Sequence, residues 1–289
     1  MNNSMNEFET LIAQSPYLHA HAGKIIVIKY GGNALSEDDS GAMRFAEDIA
    51  LLVRHGVKPV IVHGGGPQID QMLARLSITS EFVRGLRVTS AAAIEVIEMV
   101  LCGKVNPEIV SALGQSGVTS IGLSGKDGNL IPCKPLRTEG TDYGFVGEIQ
   151  TVNADILQKL LAADIIPVIA PIGIGARGES YNINADTAAG AIAGALAADR
   201  FLLLTNVAGV LDDAKKLIPE LTPTTAHAMI AGGTIVGGMI PKVETCLQAV
   251  SGGARGAVIM DGRVAHAILL ELFTDEGSGT LVRAAAINS

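Results

Sequence analysis

The sequence predicts an α/β protein in which a mainly parallel β-sheet lies between helices. Twice in the first eighty residues a hydrophobic strand is followed by glycines and then by an amphipathic helix, the order typical of a doubly wound parallel sheet. Hydrophobic residues make up 48% of the 289-residue chain, but aromatic residues only 3%. The core must therefore consist of Val, Ile, Leu and Ala, the usual filling of a sheet covered on both faces.

The first two units can be placed residue by residue. Residues 24–30 form a strand, and hydrophobic residues at helical spacing over 41–55 predict the helix that follows. Residues 58–63 form the second strand, glycines occupy 64–66, and Pro67 opens a helix in its first turn, where proline fits best.

Further elements follow without a Ser- or Pro-rich linker. Hydrophobic runs predict four more strands, at 118–123, 165–170, 201–205 and 257–260. Residues 129–152 are typical of an inserted β-hairpin. We therefore expect one continuous sheet in a single domain with two lobes, which divide near 185–195.

The N-terminus carries a separate helical signal. Phe8, Leu11 and Ile12 have helical spacing, and Pro16 would kink or end the helix. Such a helix could dock on another subunit or lie on its own domain, and the sequence leaves both possibilities open.

Composition excludes several classes of function. A net charge of −8 argues against binding nucleic acid, which requires a basic surface. The three cysteines show no metal-binding or disulfide pattern, which predicts reduced thiols, a cytoplasmic location and no zinc. The polar N-terminus predicts no signal peptide, and the apolar stretches are too short to cross a membrane.

Two glycine clusters at strand ends predict anion binding. Lys29 ends the first strand just before Gly31 and Gly32, so a cation and free backbone N–H groups could meet phosphate there, although a solvent-facing lysine beside a turn is equally compatible. Gly65 and Gly66 lie at a strand-to-helix junction, where the helix N-terminus adds positive charge. The residue before this cluster, His63, reads as a strand-end residue rather than a general base.

Three later segments carry polar side chains suited to the same site. Arg87 precedes a predicted helix and could clamp a carboxylate, or be an ordinary surface arginine. Asn182, Asn184 and Asp186 alternate, so they would face one side of an extended segment. Lys242 follows a glycine-rich loop at a helix start, where it could be a second cation or an outward-facing lysine.

Together and in order, five segments resemble the acetylglutamate kinase branch of the amino acid kinase family. They are IKYGGNA, VHGGGPQID, GLRVT, YNINADTAAGAIAGALAADRFLLLTNVAGVL and GGMIPKVE, and the resemblance extends from about residue 24 to 282. Glutamate 5-kinase, carbamate kinase, aspartokinase and uridylate kinase share the first lysine and glycines, but not the combination of GLRVT and INAD.

The resemblance implies a three-layer α/β/α sandwich around a mainly parallel central sheet, the amino acid kinase fold. It implies an N-terminal helix at 1–20 for oligomerisation, a lobe at 21–190 for the acylated amino acid, and a lobe at 191–289 for ATP and an arginine site. The implied reaction moves the γ-phosphate of ATP to the side-chain carboxylate of N-acetyl-L-glutamate, with Mg²⁺ held by phosphates and water rather than by a protein ligand.

Roles carried over from the resemblance fall into three sets. Lys29 and Lys242 would stabilise the transition state and Asp186 would organise them. Substrate would be bound by Gly65, Gly66, Arg87 and Asn182. ATP would be bound by Gly31, Gly32, Asn206, Val207, Gly209, Leu211, Thr234, Ile235 and Val236.

The C-terminal tail resembles that of arginine-inhibited members. His266, Glu271 and Gly277 would form the site for L-arginine, and the N-terminal helix would build a homohexamer from three dimers. A plain helix–turn–strand ending is the alternative.

Three rival functions remain at this stage. The chain could be another kinase of the family, such as a glutamate 5-kinase or carbamate kinase, or a non-catalytic amino-acid sensor, although a sensor would not need both lysines. A nicotinamide-dependent reductase is disfavoured because the chain lacks GxGxxG followed by an acidic residue about twenty positions later.

Overall fold

The structure is a computed structural model that describes residues 17, 20–31, 39–138, 140–274 and 277–284. The predicted N-terminal helix, apart from residues 17 and 20, lies outside the described residues, as does Gly32. The described strands are, in chain order, β1 (Ile25–Tyr30), β2 (Lys58–His63), β3 (Phe82–Val83), β4 (Leu86–Arg87), β5 (Ser120–Ser124), β6 (Cys133–Thr138), β7 (Thr141–Ile149), β8 (Ile166–Ala170), β9 (Ile172–Ile174), β10 (Ser180–Asn182), β11 (Arg200–Thr205), β12 (Glu220–Leu221), β13 (Ala257–Asp261) and β14 (Gly279–Val282).

Helices alternate with most of these strands. The described α-helices are α1 (Asp39–Arg54), α2 (Gly66–Arg75), α3 (Ala91–Val100), α4 (Asn106–Gln115), α5 (Asp155–Ala162), α6 (Ala185–Ala195), α7 (Pro223–Ala231), α8 (Met239–Ser251) and α9 (Ala267–Phe273). A π-helical turn, Leu101–Val105, joins α3 directly to α4. None of the described helices has the length and hydrophobicity to cross a lipid bilayer.

The main sheet has eight strands in the order β12-β14-β13-β11-β1-β2-β8-β5. Its pairs are parallel, except that β14 runs antiparallel to β13. In β1 the consecutive residues Ile26, Val27 and Ile28 are all fully buried. Because consecutive side chains of a strand point to opposite faces, both faces of the sheet are covered. The predicted mainly parallel α/β sandwich is confirmed.

The six strands predicted from hydrophobic runs all belong to this one sheet, but the structure contains two further small sheets that the sequence did not predict. The predicted hairpin exists as β6 and β7, but it belongs to a second sheet with the order β6-β7-β10-β9, and β3 and β4 pair separately. The hairpin pairs with β10 through Asn182 and Val146, a partner 36 residues later that local sequence patterns do not reveal.

The parallel register of β1 and β2 brings both glycine clusters to one edge of the main sheet. Lys29 is level with Val62, and Tyr30 with His63. Just beyond the strands, the Gly64 N–H donates to the Tyr30 carbonyl over 2.8 Å. The carboxyl ends of parallel strands are where α/β proteins bind ligands, so this edge is the place to look for a site.

Candidate active site

Two lysines from distant parts of the chain meet one aspartate at this edge. Lys29, at the end of β1, places its Nζ 3.0 Å from Asp186 Oδ1. Lys242, in the first turn of α8, places its Nζ 2.9 Å from Asp186 Oδ2. The side chains of Lys29, Asp186 and Lys242 are only 10%, 17% and 24% exposed, respectively. The structure thus brings together the three residues predicted to be catalytic.

Asp186 is held as a carboxylate by these neighbours. Burial by itself raises the pKa of Asp186, but the charges and hydrogen bonds of Lys29 and Lys242 outweigh burial and hold this pKa below its ordinary value. With two ammonium groups around one carboxylate, the cluster keeps one positive charge in excess for an anionic ligand.

Asp186 reaches this place from a helix, not from an extended segment as the alternation of polar residues predicted. Asn184 is the N-cap of α6, and its Oδ1 accepts from the N–H groups of Asp186 and Thr187 over 2.9 and 3.1 Å. The strand β10 ends at Asn182, so the polar run spans a strand-to-helix junction. The expectation of one shared face was wrong in its local geometry.

A cleft of about 290 Å³ opens beside α2 and β10. All four residues predicted to bind substrate line it: Gly65, Gly66, Arg87 and Asn182. Asn182 Nδ2 donates to Thr89 Oγ1 over 3.3 Å, and that hydroxyl donates to the Arg87 carbonyl over 2.9 Å. The cleft is therefore lined by the backbone of two glycines, one guanidinium and one side-chain amide. A chain of hydrogen bonds through Thr89 connects Asn182 to the backbone of Arg87.

The guanidinium of Arg87 is buried and already paired. Its Nη1 lies 2.6 Å from Asp70 Oδ1 and donates to Ser80 Oγ over 3.3 Å. Its Cζ lies 4.5 Å from the centre of the Phe82 ring, within range of a cation–π interaction. The predicted carboxylate clamp thus holds a carboxylate of its own chain here.

Gly31 lies between the lysine cluster and the glycine cradle, the name we use for Gly64, Gly65 and Gly66 after β2. A Cβ at this position would lie 3.0 Å from Gly64 N and 3.3 Å from Lys29 Nζ. A larger residue would push apart the two loops that follow β1 and β2. Its predicted partner Gly32 lies outside the described residues.

Apart from Gly31 and Gly32, the residues predicted for ATP follow β11 or precede α8. Asn206 and Val207 are exposed, Leu211 is 41% and Val236 61% exposed, and Thr234 is half-buried. Two members of the set have structural roles: Ile235 is buried in the core, so only its backbone could touch a nucleotide, and a Cβ at Gly209 would lie 2.5 Å from Thr280 Oγ1. The ATP roles of the whole set stay predictions.

The predicted arginine residues occupy two local arrangements. Glu271 Oε2 accepts from the Ser278 N–H over 2.6 Å, and a Cβ at Gly277 would lie 3.1 Å from the same oxygen. His266 instead contacts α1, with its Nδ1 2.6 Å from Asp48 Oδ1. The structure places Glu271 beside Gly277, while their role and that of His266 stay predictions.

Comparison with known proteins adds to this geometry. The pattern of the amino acid kinase family matches residues 24–261. The chain belongs to this family. It is 56% identical over 287 residues to an acetylglutamate kinase of Gluconacetobacter diazotrophicus, covering 96% of this chain and 91% of the relative. It is 54% identical over 283 residues to an acetylglutamate kinase of Rhodospirillum centenum, covering 94% and 92%.

A solved structure shares the fold over nearly the whole chain. It is the N-acetylglutamate synthase of Neisseria gonorrhoeae in complex with coenzyme A and N-acetyl-glutamate, with a TM-score of 0.85 and 25% identity. The alignment covers 99% of this chain but 65% of the synthase chain, so our chain spans less than two thirds of that protein.

Sequence reasoning missed two residues of the cleft in this family member. Asp70 lies one helical turn after Gly66, so helical periodicity would have placed it on the same side as the glycines. Phe82 carried no signal, because an exposed aromatic in a short hairpin looks like any surface residue. Within the described residues, no three or more His, Cys, Asp or Glu side chains form a cluster suited to a metal.

Proposed function

We propose that the protein is an ATP-dependent acetylglutamate kinase. It transfers the γ-phosphoryl group of ATP to the side-chain carboxylate of N-acetyl-L-glutamate and yields N-acetyl-L-glutamyl 5-phosphate and ADP, a step of arginine biosynthesis. The observation that carries the proposal is the cluster of Lys29, Asp186 and Lys242 at the carboxyl edge of the sheet. The names of the relatives and the lining of the cleft support it.

The reaction needs no general base. A glutamate side chain has a pKa near ~4.3, so the attacking carboxylate is already ionised at neutral pH. The obstacle is repulsion between an anion and a polyanion, and catalysis consists of alignment and charge stabilisation. Lys29 and Lys242 neutralise charge on the transferring group, and Asp186 keeps the two ammonium groups from moving apart.

The cleft supplies contacts for both ends of the acyl amino acid. The substrate α-carboxylate binds Arg87 and replaces or shares its contact with Asp70. The N–H groups of Gly65 and Gly66 face the acetyl oxygen at the N-terminus of α2, and Asn182 contacts the amide.

ATP lies on the other side of the lysine cluster. Gly31 and Gly32 donate backbone N–H groups to the phosphates. The exposed apolar side chains of Val207, Leu211 and Val236 provide a surface for the adenine ring. Mg²⁺ arrives with ATP and is held by phosphate oxygens and water.

A coupled assay of ADP release tests the proposal against the rival kinases. N-acetyl-L-glutamate, L-glutamate, L-aspartate and carbamate are offered separately at equal concentration with MgATP. We expect turnover with N-acetyl-L-glutamate to exceed the others at least ~10²-fold, since a site built for the acetyl group leaves polar atoms unpaired without it. Equal or greater turnover with another acceptor would assign a different kinase, and none at all would favour the amino-acid sensor.

We further propose that L-arginine inhibits this enzyme through Glu271, with His266 and Gly277 nearby. Burial raises the pKa of Glu271, with hydrogen bonds from Ser278 opposing the shift. A guanidinium would relieve this cost by pairing with the carboxylate. Glu271→Gln should lose arginine inhibition while keeping wild-type turnover without arginine. A variant as sensitive as wild type would refute the assignment.

The oligomer and the compartment are proposals as well. We propose a homohexamer, a trimer of dimers, in which the N-terminal helix joins the dimers. Sedimentation velocity should show a smaller species for a chain that starts at Gly23, and an unchanged hexamer would contradict this role. The three cysteines are all free thiols, which supports a reducing cytoplasm.

A further inference from the structure

His63 is a buried titratable side chain that the proposed chemistry does not use. It ends β2, directly before the glycine cradle, and is 0% exposed. Its Nδ1 lies 2.7 Å from the Gly64 carbonyl oxygen, and its Nε2 lies 3.1 Å from Asn106 Nδ2. Burial lowers the pKa of His63 to about 4, against a backbone hydrogen bond to Gly64, so the ring is neutral at physiological pH.

Asn106 determines which nitrogen of the ring carries the proton. Its Nδ2 also lies 2.9 Å from the Val168 carbonyl oxygen, which can only accept. The amide nitrogen must therefore face both partners, and it donates to Val168 and to His63 Nε2. Nε2 is then the acceptor, the proton lies on Nδ1, and Nδ1–H donates to Gly64. The Nδ1–H tautomer satisfies both contacts of the ring, and the Asn106 amide is left with one longer contact of 3.5 Å to the Leu123 carbonyl.

This hydrogen bond fixes the orientation of the Gly64–Gly65 peptide group. The described residues contain no cis peptide bond, and in a trans peptide the C=O and N–H bonds point in opposite directions. With the Gly64 carbonyl turned inward to His63, the Gly65 N–H is directed away from the buried ring. Gly64 N–H is already bound to Tyr30, so the N–H of Gly65 is the next one available to a ligand.

The residues packed around Asn106 and Gly65 leave little room for either to move. A Cβ at Gly122, in the middle of β5, would lie 1.9 Å from Asn106 Oδ1, so this strand position has to be glycine. A Cβ at Gly65 would lie 2.6 Å from Leu101 Cδ2 and 3.3 Å from Val105 Cγ2. These two residues bound the π-helical turn that delivers Asn106, and π-turns are frequent at functional sites.

We propose that His63 and Asn106 form a positioning pair that aims the Gly65 amide at the acyl oxygen of the substrate. The pair touches no reacting atom and acts through the cradle. This inference rests on the proposed function, because it assumes that the cleft takes an N-acylated amino acid. It predicts an effect on acyl substrate binding that ATP binding does not share.

Two substitutions separate the two ring nitrogens. His63→Asn keeps a donor at the position of Nδ1, whereas His63→Gln moves the amide to the position of Nε2 and leaves Gly64 without its donor. Isothermal titration calorimetry with N-acetyl-L-glutamate should show about tenfold weaker binding for His63→Gln and at most threefold weaker binding for His63→Asn. The Kd for MgATP should change less than twofold in both variants.

A second route covers the case in which a His63 variant does not fold. Asn106→Asp replaces the donor with an acceptor. At pH 9, where the ring holds a single proton, this acceptor draws that proton to Nε2 and turns a lone pair of Nδ1 towards the Gly64 carbonyl. We expect the same selective loss of N-acetyl-L-glutamate affinity. In wild type, ¹⁵N NMR of the His63 ring should show a neutral Nδ1–H tautomer between pH 6 and 8.

The outcomes distinguish this proposal from the proposed function. Equal affinities of wild type, His63→Gln and Asn106→Asp for N-acetyl-L-glutamate, or an Nε2–H tautomer, would overturn the positioning pair. A parallel loss of ATP affinity would also overturn it and indicate a general structural defect. Wild type that binds N-acetyl-L-glutamate but never phosphorylates it would overturn only the kinase.

Discussion

Two aspartates surrounded by basic side chains lie at opposite ends of strand β1. Asp186 meets Lys29 at the carboxyl end of β1. Asp199 immediately precedes β11, and its N–H donates to the Ile25 carbonyl at the amino end of β1. Asp199 lies 2.9 Å from His21 Nδ1 and 2.9 Å from Arg255 Nη1.

The two clusters use the same ion-pair chemistry for different purposes. At Asp199, a hydrogen bond from His21 is the main cause that lowers the pKa, and burial opposes it. Its contacts fasten the start of β11 to the segment before β1 and to the loop after α8. At Asp186, the cations stand beside the glycine loops and the cleft. Similar pairing therefore stabilises the fold at the amino end, whereas at the carboxyl end, where loops diverge from a parallel sheet, we propose that it serves a ligand.

The largest effect should come from deleting a cation at the carboxyl end. Lys29→Met and Lys242→Met should each lower kcat about 10²–10³-fold, since in the proposed reaction each lysine is a preorganised stabiliser of the transferring phosphoryl group. Arg255→Met is the matched control, because it also removes a cation from an aspartate, and its kcat should stay within about twofold of wild type. ADP release with N-acetyl-L-glutamate measures all three. If Arg255→Met lowered kcat as much as the lysine variants do, the two clusters would not differ in their importance for catalysis.

The second effect concerns stability at the amino end. Asp199→Asn should lower the free energy of unfolding by about 1–2 kcal/mol, because the buried His21 loses its charged partner, whereas Arg255 is 70% exposed and contributes little. Urea unfolding at pH 7 measures this loss, and kcat under native conditions should change less than twofold. Unfolding at the same urea concentration as wild type would show that the pairs around Asp199 do not stabilise the fold.

The smallest effect is the pH dependence of the difference in unfolding free energy between wild type and Asp199→Asn. The pKa of Asp199 is lowered in the folded protein, so its contribution to stability is complete above its ordinary value of 3.8 and is lost as pH falls through the lower folded value. The stability difference between wild type and Asp199→Asn should therefore narrow between pH 5 and pH 3. A difference that stays constant or widens over this range would contradict the shift.

Local sequence patterns predicted the parts of this fold that local physics determines. The second strand, 58–63, agrees with β2 at both ends, and the predicted strand at 165–170 differs from β8 by one residue. Both are hydrophobic runs flanked by polar residues or glycine, so the need to bury the run is enough to predict where each strand begins and ends. The smaller, four-stranded sheet was not predicted, because in it β7 pairs with β10, and helix α5 lies between these two strands in the sequence.

The residues of the candidate site also fall into those that local patterns predict and those that only tertiary contacts reveal. The glycines and lysines at strand and helix ends could be identified because those residue types are unusual there, and the order of the motifs indicated the family. Asp70 was missed although its helical spacing from Gly66 places it beside the glycines, and Asn106 could not be identified, since an asparagine in a helix has many ordinary explanations. Their importance depends on contacts with Arg87 and His63, at sequence separations of 17 and 43, which only the fold supplies.

The three free thiols have a practical consequence for experiments on this protein. Burial is the main cause that raises the pKa of Cys102 and of Cys133 to about 11, and that raises the pKa of Cys246 as well. Since only the thiolate reacts with maleimides, all three react slowly at neutral pH. A cysteine placed at Phe82 or Val236, both exposed, would then be labelled selectively without removing the native ones. Fluorophores at these two positions would report changes in the distance between them as substrates bind.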